Sequence, residues 1–164
     1  MEHCLDELML SRIRSLQKES AIETINGRPL YLVKPTVPAA TKTYVLVDTE
    51  GNDVAKIAQC ISLIVPKYRI IIKDAATFYV TRKFSLSHDY SVKGIPWAVN
   101  GDFTSLRYHV FDQSNKTVFE IRKELNRWDN RYILRIFQSN FILHSICLAI
   151  AIDAAISAVS NSSN

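Results

Sequence analysis

The feature that most constrains this chain is a long apolar run near its C-terminal end, over residues 141–159. The run reads FILHSICLAIAIDAAISAV, and it carries two ionisable residues, His144 and Asp153. Its length would let a helix cross a membrane, because about 18 apolar residues are enough. A helix that is apolar on every face must be covered either by lipid or by protein. The pattern of the rest of the chain indicates whether lipid or protein covers this helix.

From Tyr31 to Phe137 the apolar residues recur with a period of two, which predicts β-strands. Polar clusters interrupt the pattern, and Gly51 allows a tight hairpin turn in one of them. No helical stretch long enough for a parallel crossover lies between the strands, so the sheet is predicted to be antiparallel. The predicted strands cover 31–35, 44–48, 53–58, 68–74, 77–84, 108–112, 117–125 and 132–137.

A tyrosine opens each repeating unit of this β-rich region. The five are Tyr44, Tyr68, Tyr90, Tyr108 and Tyr132, separated by 24, 22, 18 and 24 residues. Such spacing is typical of a two-strand hairpin repeat. At roughly ten residues per strand and turn, the region has room for about ten to twelve strands.

A sheet of about twelve strands tends to close, and the resulting barrel is too wide for its own side chains to fill. A helix is about 10–12 Å across and would fill such a barrel. We therefore predict a mainly β domain over 29–164. It is a closed antiparallel barrel of about twelve strands, wrapped around a buried hydrophobic helix at about 142–159. Asp153 is then expected to bond to the wall or to meet water at the rim.

The first 28 residues have a different pattern. Leu5, Leu8, Met9, Ile13 and Leu16 recur at helical spacing, which predicts a helix within residues 1–24. Asn26-Gly27 would end it. We expect 1–28 to be a helical leader that packs on the outside of the domain or on a partner protein.

Charge is the clearest indication of function. The formal net charge is +4, and residues 54–135 hold fourteen Lys and Arg against seven Asp and Glu. A cationic domain favours anionic partners, although a solvated barrel exterior would look the same. The candidate anion- or lipid-binding residues are Arg69, Lys73, Arg82, Lys83, Arg122, Lys123, Arg127, Arg131 and Arg135.

Catalytic and metal-binding patterns are not found in the sequence. The four histidines are scattered, and no nucleophile elbow, zinc-protease or phosphate-loop motif occurs. Three scattered cysteines argue against zinc and against a disulfide framework. We therefore predict no catalytic residues, no metal, no cofactor and no enzymatic activity. The expected location is the cytoplasm, free or peripheral to a membrane.

At this stage the chain resembles the LURP-one-related family over about residues 29–159. The matching segments are Tyr31, Val33 and Lys34; Asp48 to Val54; Pro66, Tyr68 and Ile70; Trp97, Val99, Gly101, Asp102 and Phe103; Val118, Ile121 and Lys123; Asp129 and Tyr132; and LAIAID ending at Asp153. The leader 1–28 lies outside this resemblance. The turn at 74–76 lacks the glycine that is usual in the family.

The resemblance implies the tubby C-terminal-like fold, a twelve-stranded barrel around a hydrophobic C-terminal helix. Its structural cousins include phosphoinositide-binding tubby domains and the phospholipid scramblases. The leading hypothesis is thus a non-enzymatic module that binds anionic phospholipid or a phosphorylated ligand. A protein-interaction scaffold using the N-terminal helix and a scramblase-like membrane protein remain as alternatives, while nucleic acid is disfavoured as a partner.

Overall fold

The structure is a computed structural model that describes residues 3–11, 19–36, 41–84, 89–123 and 131–161. It contains one twelve-stranded antiparallel sheet and one long helix, α1, at Ile142–Asn161. The strands are β1 Asp6–Ser11, β2 Ser20–Thr24, β3 Pro29–Thr36, β4 Thr43–Asp48, β5 Asp53–Gln59, β6 Lys67–Ile72, β7 Phe78–Arg82, β8 Tyr90–Lys93, β9 Ala98–Asp102, β10 Arg107–Phe111, β11 Thr117–Lys123 and β12 Arg131–Ile136.

The strand order is β8-β7-β6-β5-β4-β3-β2-β1-β12-β11-β10-β9. β8 and β9 stand at the two ends of this order and still contact each other. The sheet is therefore a nearly closed barrel, with its seam between β8 and β9. This confirms the predicted barrel, with nearly complete closure instead of full closure.

The helix is the core of the barrel, as the sequence predicts. Residues 145–155 are all buried, and α1 contacts β5, β6, β7, β11 and β12. Twenty residues at about 1.5 Å each give a helix of about 30 Å, long enough to thread the barrel. By length and composition Ser139–Val159 could span a membrane, yet 67% of an 18-residue apolar stretch within it is buried inside the protein.

The helical prediction for residues 1–24 is wrong in the part that the structure describes. Residues 6–11 and 20–24 form β1 and β2, while 12–18 lie outside the described residues. Leu8, Leu10 and Ile22 each have about 1% exposure and face the core, which is the alternation of a strand. β1 is hydrogen-bonded to β12 along its whole length. The apolar spacing of the leader fits a helix and a strand about equally well, and tertiary pairing chose the strand.

The two ends of the barrel differ in their connections. At one end, the short-turn end, the strands are joined by four or five residues, in the β2–β3, β4–β5, β6–β7, β8–β9 and β10–β11 turns. At the other end, the long-loop end, the connections run to eight residues. Because β12 runs towards the short-turn end, α1 starts there and ends at the long-loop end.

The alternating direction of the strands explains the tyrosine repeat. Tyr44, Tyr68, Tyr90, Tyr108 and Tyr132 open the even-numbered strands β4 to β12, and all five are at most 5% exposed. Antiparallel strands that alternate in direction bring every second strand start to the same end. The repeat therefore lines the inner wall at the long-loop end.

Asp153 lies among these tyrosines and is 1% exposed. Burial raises the pKa of Tyr44, and the nearby Asp153 charge raises it further. Burial also raises the pKa of Tyr90 to about 12, with Arg82 opposing the shift and Asp153 adding to it. The one carboxylate of the helix thus faces the polar end of an otherwise apolar interior.

Aromatic rings fill the short-turn end. Trp97 makes edge-on contacts with Phe78, Phe141 and His144, at ring-centroid distances of 5.3 to 6.3 Å. Burial lowers the pKa of His144, so this ring is held neutral at the start of α1. Trp97 is 6% exposed and belongs to the core.

Candidate anion-binding surface

The sequence-predicted cations fall into two groups on different sides of the barrel. Arg69, Lys73, Arg82 and Lys83 belong to β6, β7 and the residues that follow them, whereas Arg122, Arg131 and Arg135 belong to β11 and β12. β6 is third in the strand order and β12 is ninth, so six positions separate them. Lys123 ends β11, and nothing is described of its side chain; Arg127 lies outside the described residues. These residues do not form one patch.

The β11–β12 group is neutralised by carboxylates. Arg135 donates from Nε to Glu7 at 2.9 Å and from Nη1 to Glu120. Glu120 Oε1 also forms an ion pair with Arg122 Nε at 3.0 Å, and Glu120 Oε2 lies 3.3 Å from His109 Nδ1. The side chain of Glu120 is only 8% exposed, so its charge is largely consumed by these contacts.

Strand register explains this network. Glu7 lies opposite Arg135, Arg135 opposite Glu120, and Glu120 opposite His109, in one row across β1, β12, β11 and β10. Directly opposed residues of opposite charge stabilise an antiparallel pair. Arg131 reaches Glu23 at 4.0 Å. This side of the barrel is a structural charge ladder with little free positive charge.

The other side carries a set of cations that we call the basic wall, formed by Lys56, Lys67, Arg69, Lys73 and Lys93. They project outward from β5, β6 and β8 or, for Lys73, directly after β6, since the residues that alternate with them are buried or, for Val92, half-buried. Across the described residues, none of these five side chains forms an ion pair with a carboxylate.

Register sets the spacing of the basic wall. Arg69 lies opposite Tyr79, and Tyr79 lies opposite Lys93. Neighbouring strands are about 4.8 Å apart, which puts the Arg69 and Lys93 backbones about 10 Å from each other. Lys67 Nζ lies over the Tyr79 ring, 4.9 Å from its centroid. These distances are close to the screening length of about 8 Å at physiological salt, so the cations act on an approaching anion together.

Arg82 and Lys83 extend the positive charge to the long-loop end. Lys83 is exposed, whereas Arg82 is half-buried and continues the inward alternation of Phe78 and Val80. Arg82 lies opposite Tyr90 and lowers its pKa against the effect of burial. The Arg82 side chain therefore lies at the rim of the barrel interior, and the Lys83 side chain lies on the outer surface.

Sequence reasoning missed three members of the basic wall, Lys56, Lys67 and Lys93. For Lys67 the sequence did contain the information, because the alternation in β6 that predicts an outward-facing Arg69 also predicts an outward-facing Lys67. It also missed the β5–β6 loop, where Ile61, Leu63 and Ile64 are exposed. Apolar residues are usually assigned to a core, and only the Ser62 and Pro66 that interrupt the run argue for a loop.

Other candidate sites have structural explanations. Among the described residues, no cluster of three or more His, Cys, Asp or Glu side chains could hold a metal ion. An open depression of about 430 Å³ includes Asp112 and Gln138 in its lining. The Asp112 carboxylate accepts hydrogen bonds from the Gln138 side chain and from the Lys116 and Ser114 amides, and these lower its pKa. That carboxylate holds the β10–β11 turn.

The fold defines the chain as a twelve-stranded antiparallel barrel with its own C-terminal helix threaded through it. The LURP-one-related family model matches residues 8–153, so the chain belongs to the LURP-one-related family. That match includes β2 and the part of β1 from Leu8 onward, which the sequence resemblance had left out. It defines a family domain of uncharacterised function.

Two known proteins resemble the chain. The uncharacterised protein YxjI of Bacillus subtilis (strain 168) is 29% identical over 108 residues, which cover 65% of this chain and 65% of that protein. An X-ray structure of a protein from Arabidopsis thaliana matches with a TM-score of 0.58 at 15% identity, covering 92% of this chain and 93% of that one. At this identity the likeness supports the fold alone.

Proposed function

We propose that this protein is a non-enzymatic binding module that uses the basic wall to bind the phosphate groups of anionic phospholipids or of a phosphorylated ligand. The observation that carries the proposal is the contrast between the two sides of the barrel. Cations on β11 and β12 are paired with carboxylates, whereas those of the basic wall are left for a partner. In this proposal the protein works in the cytoplasm, peripheral to a membrane.

The electrostatic contribution is large enough to matter. Each Lys or Arg near an anionic membrane surface contributes about 1 kcal/mol, so five contribute about 5 kcal/mol before screening. That free energy corresponds to a millimolar affinity or slightly better on its own. The basic wall would therefore recruit the protein to an anionic surface, and recruitment would weaken as salt is added.

The two alternative functions lose support from the fold. The scaffold hypothesis depended on an N-terminal helix, but residues 6–11 and 20–24 are strands of the barrel. The scramblase-like hypothesis needs α1 in lipid, but α1 is the core that the strands enclose. Extracting the helix would expose the inner faces of the sheet to water.

Vesicle co-sedimentation tests the proposal. We expect binding to vesicles of phosphatidylcholine with phosphatidylserine, much weaker binding to phosphatidylcholine alone, and loss of binding as salt rises from 0.1 to 0.5 M. The double variant Lys67→Gln/Arg69→Gln should bind anionic vesicles about thirtyfold more weakly, since two cations are worth about 2 kcal/mol.

The matched control is Arg122→Gln/Arg131→Gln, which removes the same charge from the opposite side of the barrel. It should bind nearly as the wild type does. Equal losses in both variants would mean that only net charge matters, and the basic wall would not be a site. Competition by soluble inositol hexakisphosphate separates a headgroup ligand in solution from a requirement for a bilayer. Absence of binding to both would refute the proposal.

A further inference from the structure

The most exposed large apolar side chains of the described chain lie at one tip of the barrel. Ile61 is 88% exposed, Leu63 100%, Ile64 78% and Phe84 89%. The first three belong to the β5–β6 loop, and Phe84 follows β7 by two residues. The next most exposed, Leu5 and Ile25, have only 48% and 44% exposure. Large apolar side chains exposed close together are typical of a surface that contacts a protein or a membrane.

Backbone hydrogen bonds hold these two segments side by side. The Cys60 amide donates to the Lys67 carbonyl at 2.8 Å, which closes the base of the β5–β6 loop. The Arg82 amide donates to the Pro66 carbonyl at 3.1 Å, which joins that loop to the end of β7. Ile64 precedes Pro66 by two residues and Phe84 follows Arg82 by two. The two segments therefore leave the barrel side by side, and we call their four exposed side chains the apolar tip.

Cations surround the base of the apolar tip. The Gln59 amide donates to the Lys42 carbonyl at 2.9 Å, which puts the exposed Lys42 beside the start of the loop. Lys67 and Lys83 flank its other side, and Arg69 lies two residues further along β6. The turns at the short-turn end mix both signs of charge, since Asp48, Asp74 and Asp112 share them with Lys73 and Lys116. Positive charge and exposed apolar surface thus coincide at the long-loop end.

The dimensions of the loop match a bilayer interface. Seven residues separate β5 from β6, so the loop reaches at most about 12 Å from its base, at 3.3–3.6 Å per residue over half its length. Interfacial segments bury their apolar side chains about 5–10 Å into the boundary between headgroups and acyl chains. At that depth Lys42, Lys67 and Lys83 would lie level with the phosphates. A convex apolar loop with cations at its base complements an anionic bilayer in both shape and charge.

We propose that the apolar tip inserts into the interface of an anionic bilayer and sets the orientation of the protein on the membrane. This inference rests on the proposed function and adds a second contact to it. The basic wall binds the anionic headgroups, whereas the apolar tip requires a bilayer. A soluble phosphorylated ligand would satisfy the basic wall and leave the apolar tip exposed.

The test uses the full chain and vesicles of phosphatidylcholine with phosphatidylserine. The variant Leu63→Ser/Ile64→Ser should fold normally, because both side chains are exposed, and should bind these vesicles about tenfold or more weakly. Its binding to inositol hexakisphosphate should equal that of the wild type. Ile25→Ser is the matched control, since Ile25 is an exposed apolar residue at the short-turn end, and it should bind vesicles as the wild type does.

A reporter at the same position shows insertion directly. Leu63→Trp should gain blue-shifted emission on anionic vesicles and be quenched by brominated acyl chains, measured as the difference from the wild type. Ile25→Trp should show neither effect. If the double serine variant binds normally and the Leu63→Trp emission is unchanged, insertion is refuted while charge-dependent binding by the basic wall survives. If the wild type ignores anionic vesicles, both proposals fail.

Light scattering tests whether the apolar tip contacts a second copy of this chain instead of a bilayer. A wild-type dimer in solution that Leu63→Ser/Ile64→Ser converts to a monomer would assign the apolar tip to self-association and overturn its insertion. A monomer in both cases, combined with the quenching expected above, supports insertion.

Discussion

Removal of α1 is expected to unfold the barrel, because the helix occupies the centre of its interior and the strands pack their buried side chains around it. Eleven consecutive residues, 145–155, are buried. Four of them, Ile146, Leu148, Ile150 and Ile152, are large aliphatic residues with at most 2% exposure. Full burial of such a side chain is worth about 1.5–3 kcal/mol, so the four together contribute about 6–12 kcal/mol. A domain has a free energy of unfolding of only about 5–15 kcal/mol, and the truncation also exposes the inner faces of the strands.

The assay compares a chain ending at Asn140 with a chain ending at Val159, which keeps the buried part of α1. We expect the longer chain to unfold cooperatively by circular dichroism and the shorter one to show no transition and to aggregate. Leu148→Ala should cost about 2–5 kcal/mol in urea unfolding. Leu143→Ala, at a half-buried position, should cost less than half of that. A cooperative transition in the chain ending at Asn140 would refute the view that α1 is the core.

Three further predictions concern the barrel wall. Gly101→Ala should lower the free energy of unfolding by about 3 kcal/mol or more, because φ is +144° and the new Cβ would lie 2.4 Å from a backbone oxygen. Gly27→Ala has open space around it and should cost only about 1 kcal/mol, with both variants measured by urea unfolding. Glu120→Gln should lower the free energy of unfolding by about 1–2 kcal/mol in thermal unfolding. Arg122→Gln should lower it by at most about 0.5 kcal/mol, because the Arg122 side chain is 61% exposed. Equal costs would contradict the charge ladder. Burial raises the pKa of Tyr90 from 10.0 to about 12, so the native state holds this proton more tightly than the unfolded chain does. The stabilisation is complete below pH 10, and about 2–3 kcal/mol is lost as pH rises to 12. Tyr90→Phe should remove this part of the pH dependence, measured as the difference from the wild type in unfolding titrations, whereas the part due to the buried Tyr68 and Cys147 should remain.

The strands that the sequence predicts best are those whose alternation agrees with strong turn signals. The hairpin at β4 and β5 illustrates this, since Asp48 accepts hydrogen bonds from the Glu50 and Asn52 amides and Gly51 adopts a φ of +89°. Burial along β6 likewise follows the sequence, with Tyr68, Ile70 and Ile72 inside. Where local pattern, turn chemistry and tertiary pairing agree, the sequence is sufficient.

The first strands are the opposite case. Leu5, Leu8, Met9, Ile13 and Leu16 fit a helical stripe, and no turn residue in that segment argues against it. The partner that makes β1 a strand is β12, more than 120 residues away in the chain. A contact of that range leaves no mark in the local pattern, so propensity is overridden by pairing.

The candidate site shows the same division. The sequence supplied the excess of cations and their outward facing on alternate positions. It could not show that Arg135 would lie between Glu7 and Glu120 while Arg69 would lie beside Tyr79 and near Lys93. Strand order and register, which arise from pairings distant in sequence, decide which charges meet their opposites.

By itself the sequence determined the kind of protein this is: an antiparallel β-chain whose apolar C-terminal segment must be enclosed. That follows from periodicity and from the cost of exposing a helix with no polar face. Tertiary structure alone decided the near closure at β8 and β9, the incorporation of β1 and β2, and the gathering of Ile61, Leu63, Ile64 and Phe84 at one tip. The physical reason is that hydrophobicity acts locally on each residue, whereas neighbours across the barrel are fixed by hydrogen bonds between distant strands.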